Sequence, residues 1–242
     1  MTARPFDPAW LGVEGVFGGF VLGRVVEAAG AGDGFVPQSV TVHFVSLVRE
    51  GEADLRVETL HRGRATVSRR IELRQDGRLR AHGLASLVPA AQEPLWEPDV
   101  DTGPWRSPDT WPAPDPDPRL PFSALFDVRV VGDWSLDGGS AAWVRLRRDV
   151  ALGPHAVAAV LLDLLPPGLL TTERPAVFVP TVDFTVHFVP CLDAAVASSW
   201  VVVTNRTVWA AHDVCVDESA LYTAGGRLLA QLRQGRTVRW RR

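Results

Sequence analysis

Two stretches of the chain are apolar in the manner of helices, and each is followed by runs that alternate. Residues 17–29 place Phe17/Val21 and Leu22/Val25/Val26 at helical spacing. Residues 156–165 are apolar on every side, with Gly153-Pro154 before them and Pro166-Pro167-Gly168 after. Proline at the first helical position and Pro/Gly beyond the end punctuate a helix, and a helix apolar all round is one enclosed by protein. Alternation of period two follows the first helix in Val40/Val42/Phe44 and in residues 55–60, 65–73 and 79–87. It follows the second in 182–189, 201–209, 214–222 and 228–238. Turns at Gln75-Asp76-Gly77 and Ala224-Gly225-Gly226 predict hairpins. Residues 126–131 and 141–147, flanking Asp137-Gly138-Gly139, predict another. Each half therefore reads as one buried helix wrapped by antiparallel strands.

The halves also share sequence. Thr41-Val42-His43-Phe44-Val45 returns unchanged as Thr185-Val186-His187-Phe188-Val189, and Gly77-Arg78-Leu79 is matched by Gly226-Arg227-Leu228. Two matches in the same order, with offsets of 144 (41 to 185) and 149 (77 to 226), predict a duplication with one loop insertion. Between the halves, residues 89–121 hold ten of the nineteen prolines, seven acidic residues and two arginines. Such a density of proline denies both a helix and a central strand, so an extended surface connection is expected. Its tryptophans (Trp96, Trp105 and Trp111) point to packing on a neighbouring surface. The division is 1–88, an N-terminal unit; 89–121, a Pro-rich connection; and 122–242, a C-terminal unit.

Composition narrows the chemistry. All 25 basic residues are arginine, which leaves no lysine for a Schiff base or a P-loop. A net charge of −3 gives no support to nucleic acid or an anionic membrane as partner. The two cysteines, Cys191 and Cys215, lack CxxC spacing, so neither a disulfide scaffold nor a Cys-based zinc site is expected. The start lacks the apolar stretch of a signal peptide and the longest apolar run is too short to cross a bilayer, so a cytoplasmic location is expected. No GxSxG, HExxH or GxGxxG occurs.

A buried helix inside antiparallel strands, present twice in one chain, resembles the double hotdog of TesB-like acyl-CoA thioesterases. The likeness is carried by residues 17–23 (FGGFVLG), 181–188 (TVDFTVHF) and 226–234 (GRLLAQLRQ). It implies an α+β fold, a double hotdog of two antiparallel sheets, joined edge to edge and each wrapping a central helix. It further implies hydrolysis of an acyl-CoA or acyl-carrier thioester by activated water, without cofactor or metal. Assembly into a homo-oligomer is an expectation from the resemblance alone. In that family an Asp, a Thr or Ser and a Gln hold the water; Asp183, Thr207 and Gln234 match these roles.

The residues themselves add to this reading. Asp183 stands among β-branched and aromatic neighbours, where a carboxylate is raised towards neutrality and can act as a base, or it caps the strand entry after Pro180. Strict alternation puts it on the face opposite Phe184 and Val186, unless it precedes the strand proper. Gln234 shares parity with Leu228, Ala230 and Leu232 and is expected to face inward; Thr207 shares parity with Val201 and Val203. The repeat counterparts of Asp183 and Gln234 are Ser39 and Ala85, which points to a single working site. Gly18-Gly19 opens the first helix, either to offer the Gly19 and Phe20 amides to an oxyanion or for close packing. Asp183 with His187 also suits a hotdog hydratase or dehydratase, although His43 repeats the histidine without an acid. A non-catalytic acyl-thioester binding protein is the third reading. The arginines of the last ten residues (Arg233, Arg236, Arg239, Arg241 and Arg242) are expected to be a solvated end or contacts to coenzyme A phosphates.

Overall fold

The computed structural model describes residues 5–240 apart from 31, 33, 91–95, 97–99, 133–138, 148–149, 173–175 and 193. In chain order the helices and strands are α1 (Gly18–Gly30), β1 (Phe35–Phe44), β2 (Asp54–Arg62), β3 (Val67–Gln75), β4 (Arg78–Pro89), β5 (Phe126–Val130), β6 (Gly139–Leu146), α2 (Pro154–Leu162), β7 (Ala176–Phe178), β8 (Thr181–Phe188), β9 (Val201–Ala211), β10 (Val214–Thr223), β11 (Leu228–Thr237) and β12 (Arg239–Trp240). Among the described residues no helix is long and apolar enough to cross a membrane.

Ten strands form one antiparallel sheet in the order β2-β3-β4-β1-β8-β11-β10-β9-β6-β5. The two sheets expected, joined edge to edge, form one continuous sheet to which both halves contribute strands. The strands that carry the repeated pentapeptides, β1 and β8, make the join. They pair antiparallel with Thr41 opposite Thr185, and the two hydroxyls lie 3.1 Å apart. Each half alone would leave a strand edge with unpaired backbone groups, and pairing β1 with β8 removes both edges at once.

One face of the sheet carries the core. Val40 and Val42 of β1 and Phe184, Val186 and Phe188 of β8 point inward and are buried, as their alternation requires. Against them lie α1 and α2, packed on each other. No residue from Ala156 to Leu162 is more than 1% exposed. The second helix stops short of the expected 165. Asp163 caps it with φ −97° and ψ 6°, and Pro166 disfavours helical geometry in the residue before it. Asp76 and Gly77 both have positive φ, as a tight two-residue hairpin demands. Asp137-Gly138 lies outside the described residues. In the Pro-rich segment Trp105 is buried beside Trp143 and Val202, with Trp111 partly buried against them. Trp96, by contrast, is 80% exposed.

The helices touch through glycine. A Cβ on Gly23 would stand 2.6 Å from Val160 Cγ2 and 2.9 Å from the Ala156 carbonyl oxygen. Because that oxygen is backbone, a methyl group there forces the helices apart, which costs about 1–3 kcal/mol. Gly23→Ala should therefore melt several degrees below the parent, whereas Gly225→Ala, whose Cβ meets only Thr223 Oγ1 at 3.9 Å, should not. Equal melting temperatures for the two variants would show that the helix contact is not tight.

Candidate active site

Four register partners on the inner face set up the site. Thr207 of β9 pairs with Asp217 of β10, Asp217 with Gln234 of β11, and Gln234 with Phe184 of β8. Cross-strand partners share a face, so three polar side chains stand in a row where aliphatic ones would serve the core. Asp217 is 0% and Gln234 2% exposed. The β8–β11 ladder then shifts register between Gly235 and Arg236, which brings Arg236 opposite Thr181. Arg236 is 6% exposed. Its Nη1 donates to Thr181 Oγ1 at 3.0 Å and to the Val179 carbonyl at 3.1 Å.

Into this row comes Asp163, from the end of α2. Its Oδ1 lies 3.3 Å from Arg236 Nη2, and its side chain is 8% exposed. The carboxylate also accepts from the Gln234 side chain and from the backbone N–H of Gly19, at the start of α1. A Cβ on Gly18 would sit 3.1 Å from Asp163 Oδ2, so the acid reaches the helix start because no side chain intervenes. Burial pushes the Asp163 carboxyl up to about 6, with a smaller contribution from Asp217; Arg236, Gln234 and the Gly19 amide act against the rise. Asp217 accepts from Thr207 Oγ1 at 2.7 Å and pairs with Arg236 Nε at 2.9 Å; burial raises its carboxyl as well.

The helix carboxylate occurs twice. Glu27 stands nine positions after Gly18, as Asp163 stands nine after Pro154. Glu27 Oε2 accepts from Gly153 N, just before α2, at 2.8 Å. Each helix therefore lends a carboxylate to the positive start of the other, where an anion is favoured. Asp163 sits in a polar surround of Arg236, Gln234 and Asp217. In the first half Ala85 and Leu87 of β4 occupy the places that Gln234 and Arg236 hold on β11. Among the described residues, no three His, Cys, Asp or Glu side chains gather as a metal-ligand set.

The model for the acyl-CoA thioesterase N-terminal domain matches residues 6–88, and that for the C-terminal domain matches residues 103–238. The chain belongs to the acyl-CoA thioesterase family. It is a TesB-like enzyme, a hydrolase of acyl thioesters. Solved structures bear the same α+β hotdog fold. A hot dog fold protein of unknown function from Alicyclobacillus acidocaldarius gives a TM-score of 0.83 at 21% identity, over 99% of this chain and 93% of that one. A protein assigned as a thioesterase, from Novosphingobium aromaticivorans, gives 0.82 at 25%, over 98% and 94%. An acyl-CoA thioesterase II from Mycobacterium marinum gives 0.73 at 20%, over 98% and 96%. No curated protein matches the chain.

The thioesterase does not bring all the residues named from its sequence together. Gln234 and Thr207 are on the inner face, both in contact with the acidic cluster. Asp183 is on the outer face. It lies within β8 and pairs with His43 and Gly235, so strict alternation does apply to it. It borders an outer groove with Thr185, His187 and Arg233, across the sheet from Gln234. His187 and His43 are exposed there too. The Gly19 amide is taken by Asp163, and that of Phe20 donates to the Phe17 carbonyl at 3.0 Å. Phe20 itself stacks on Trp10, rings 3.9 Å apart. A Cβ on Gly19 would come within 2.9 Å of the Val160 carbonyl oxygen, so this glycine serves close packing. Arg236, expected at a solvated end, is enclosed by the fold, while Arg241 and Arg242 lie outside the described residues.

Asp163 and Asp217 were missed. One signal for Asp163 stood in the sequence: it is the single charge in the apolar run from Ala156 to Leu165. Nothing local marked Asp217, which alternates among charged and aliphatic neighbours in a strand.

Proposed function

We propose that this thioesterase cleaves an acyl-CoA thioester with a water activated by Asp163 and oriented by Gln234. The observation that carries the reading is a buried carboxylate, held near 6, at the positive start of α1. A base poised near the working pH is the one that general catalysis requires. Asp163 takes a proton from water as its oxygen attacks the thioester carbon. The start of α1 holds that carboxylate in place through the Gly19 amide. Thiolate leaves readily, so no strong acid is needed. Thr207 supports this arrangement through Asp217. We further read residues 1–88 and 122–242 as two hotdog units, each wrapping one helix, with 89–121 connecting them.

Thiol release measured across acyl-CoA chain lengths, and across acyl groups on a carrier protein, tests the reading. Release from CoA esters is expected, with no change in enoyl absorbance for unsaturated substrates. Hydration of an enoyl thioester without thiol release would overturn it.

A further inference from the structure

We propose that Arg236 is a positioning residue for hydrolysis: clamped from behind by Asp217, it holds the Asp163 carboxylate in the place from which it can take a proton from water. This rests on Asp163 being the base.

The guanidinium is engaged at all three nitrogens. Nε faces Asp217 Oδ2 at 2.9 Å, Nη2 faces Asp163 Oδ1 at 3.3 Å, and Nη1 is shared between Val179 and Thr181. Asp217 is itself held by the Thr207 hydroxyl at 2.7 Å and by the Gly168 backbone. Thus β9, β10, β11 and α2 all contribute to fixing one carboxylate.

The fold does not demand this cluster. The first half is an internal control, since it builds the same helix-on-sheet arrangement with Leu87 in place of Arg236 and Ala85 in place of Gln234. Leu87 is fully buried. Arg69 pairs with Ala85, and Thr59 with Arg69, so the Thr207–Asp217–Gln234 row has a counterpart of different chemistry. A buried ion pair is seldom more stable than apolar side chains in its place. The first half holds Leu87 where the second holds the Arg236 of this pair, which points to work rather than stability.

The charge count says what work. Two carboxylates share one guanidinium, so the cluster carries one surplus negative charge while Asp163 is ionised. When Asp163 accepts the proton from water, the surplus disappears, and Arg236 keeps Asp217 as its counter-ion. No buried charge is left bare at either stage. The charged groups facing Asp163 are Arg236 from β11 and Asp217 from β10; α1 contributes the Gly19 amide and β11 the Gln234 amide. Cys215 of β10 also lies in the field of Asp217 and Arg236.

Opposite shifts follow for two variants. Arg236→Met leaves Asp163 beside a like charge, so the acid limb of kcat/KM should move to higher pH by about one unit or more, roughly a tenfold loss below the new limb. Asp217→Asn gives Arg236 wholly to Asp163, so the limb should move to lower pH by about one unit. Circular dichroism and melting would accompany both profiles, and if Arg236→Met does not fold, Asp217→Asn carries the test. Asp163→Asn is run beside them. If it keeps thiol release, the choice of base is wrong. If it loses release while the folded variants lower kcat/KM equally at every pH, the base stands and Arg236 is only structural.

Discussion

Asp163→Asn is expected to lower thiol release from an acyl-CoA by roughly 10²–10⁴-fold, the usual effect of removing a general base. It should do so without unfolding the protein. Asparagine still offers an oxygen to the Gly19 amide and mimics the protonated acid, and Arg236 retains Asp217 at 2.9 Å. The melting temperature at pH 7.5 should therefore be no lower than that of the parent. Asp183→Asn is the comparison. Its side chain lies across the sheet from Gln234, so its release rate should stay within a few-fold of the parent. A dead Asp183→Asn enzyme beside an active Asp163→Asn one would place the chemistry on the outer face.

The second large effect is on pH. With Asp163 held at about 6 by burial, kcat/KM should fall about tenfold for each unit below that value. The outer-face acid has no part in this limb, so Asp183→Asn should leave it in place. Stability moves the other way. The folded value is raised above the ordinary 3.8, so the folded state binds this proton more tightly. The contribution of the group is fully present below about pH 4 and is lost as pH rises through about 6. Two units correspond to a few kcal/mol at most. Activity and this component of stability should thus change in opposite directions between pH 4 and 7. A flat rate profile over that range would sink the assignment.

The elements and the repetition between the halves are legible in the local pattern. Helical spacing in α1, Pro154 at the start of α2, alternation along β8 and β11, and the Asp76-Gly77 hairpin all act over a few residues, where local sterics and periodicity decide. The inward direction of Gln234 was legible for the same reason, as was the outward direction that strict alternation assigns to Asp183. Which of these residues meet depends on contacts between distant elements. Asp163 and Arg236 are 73 positions apart, joined because α2 docks on the sheet with its last turn against β11. The register shift between Gly235 and Arg236 brings Thr181 opposite Arg236, and no local pattern announces it. Arg236 therefore reads in the sequence as one of several terminal arginines and stands in the fold between two buried carboxylates. Periodicity assigns a side chain to a face; docking of distant elements decides what that face encloses.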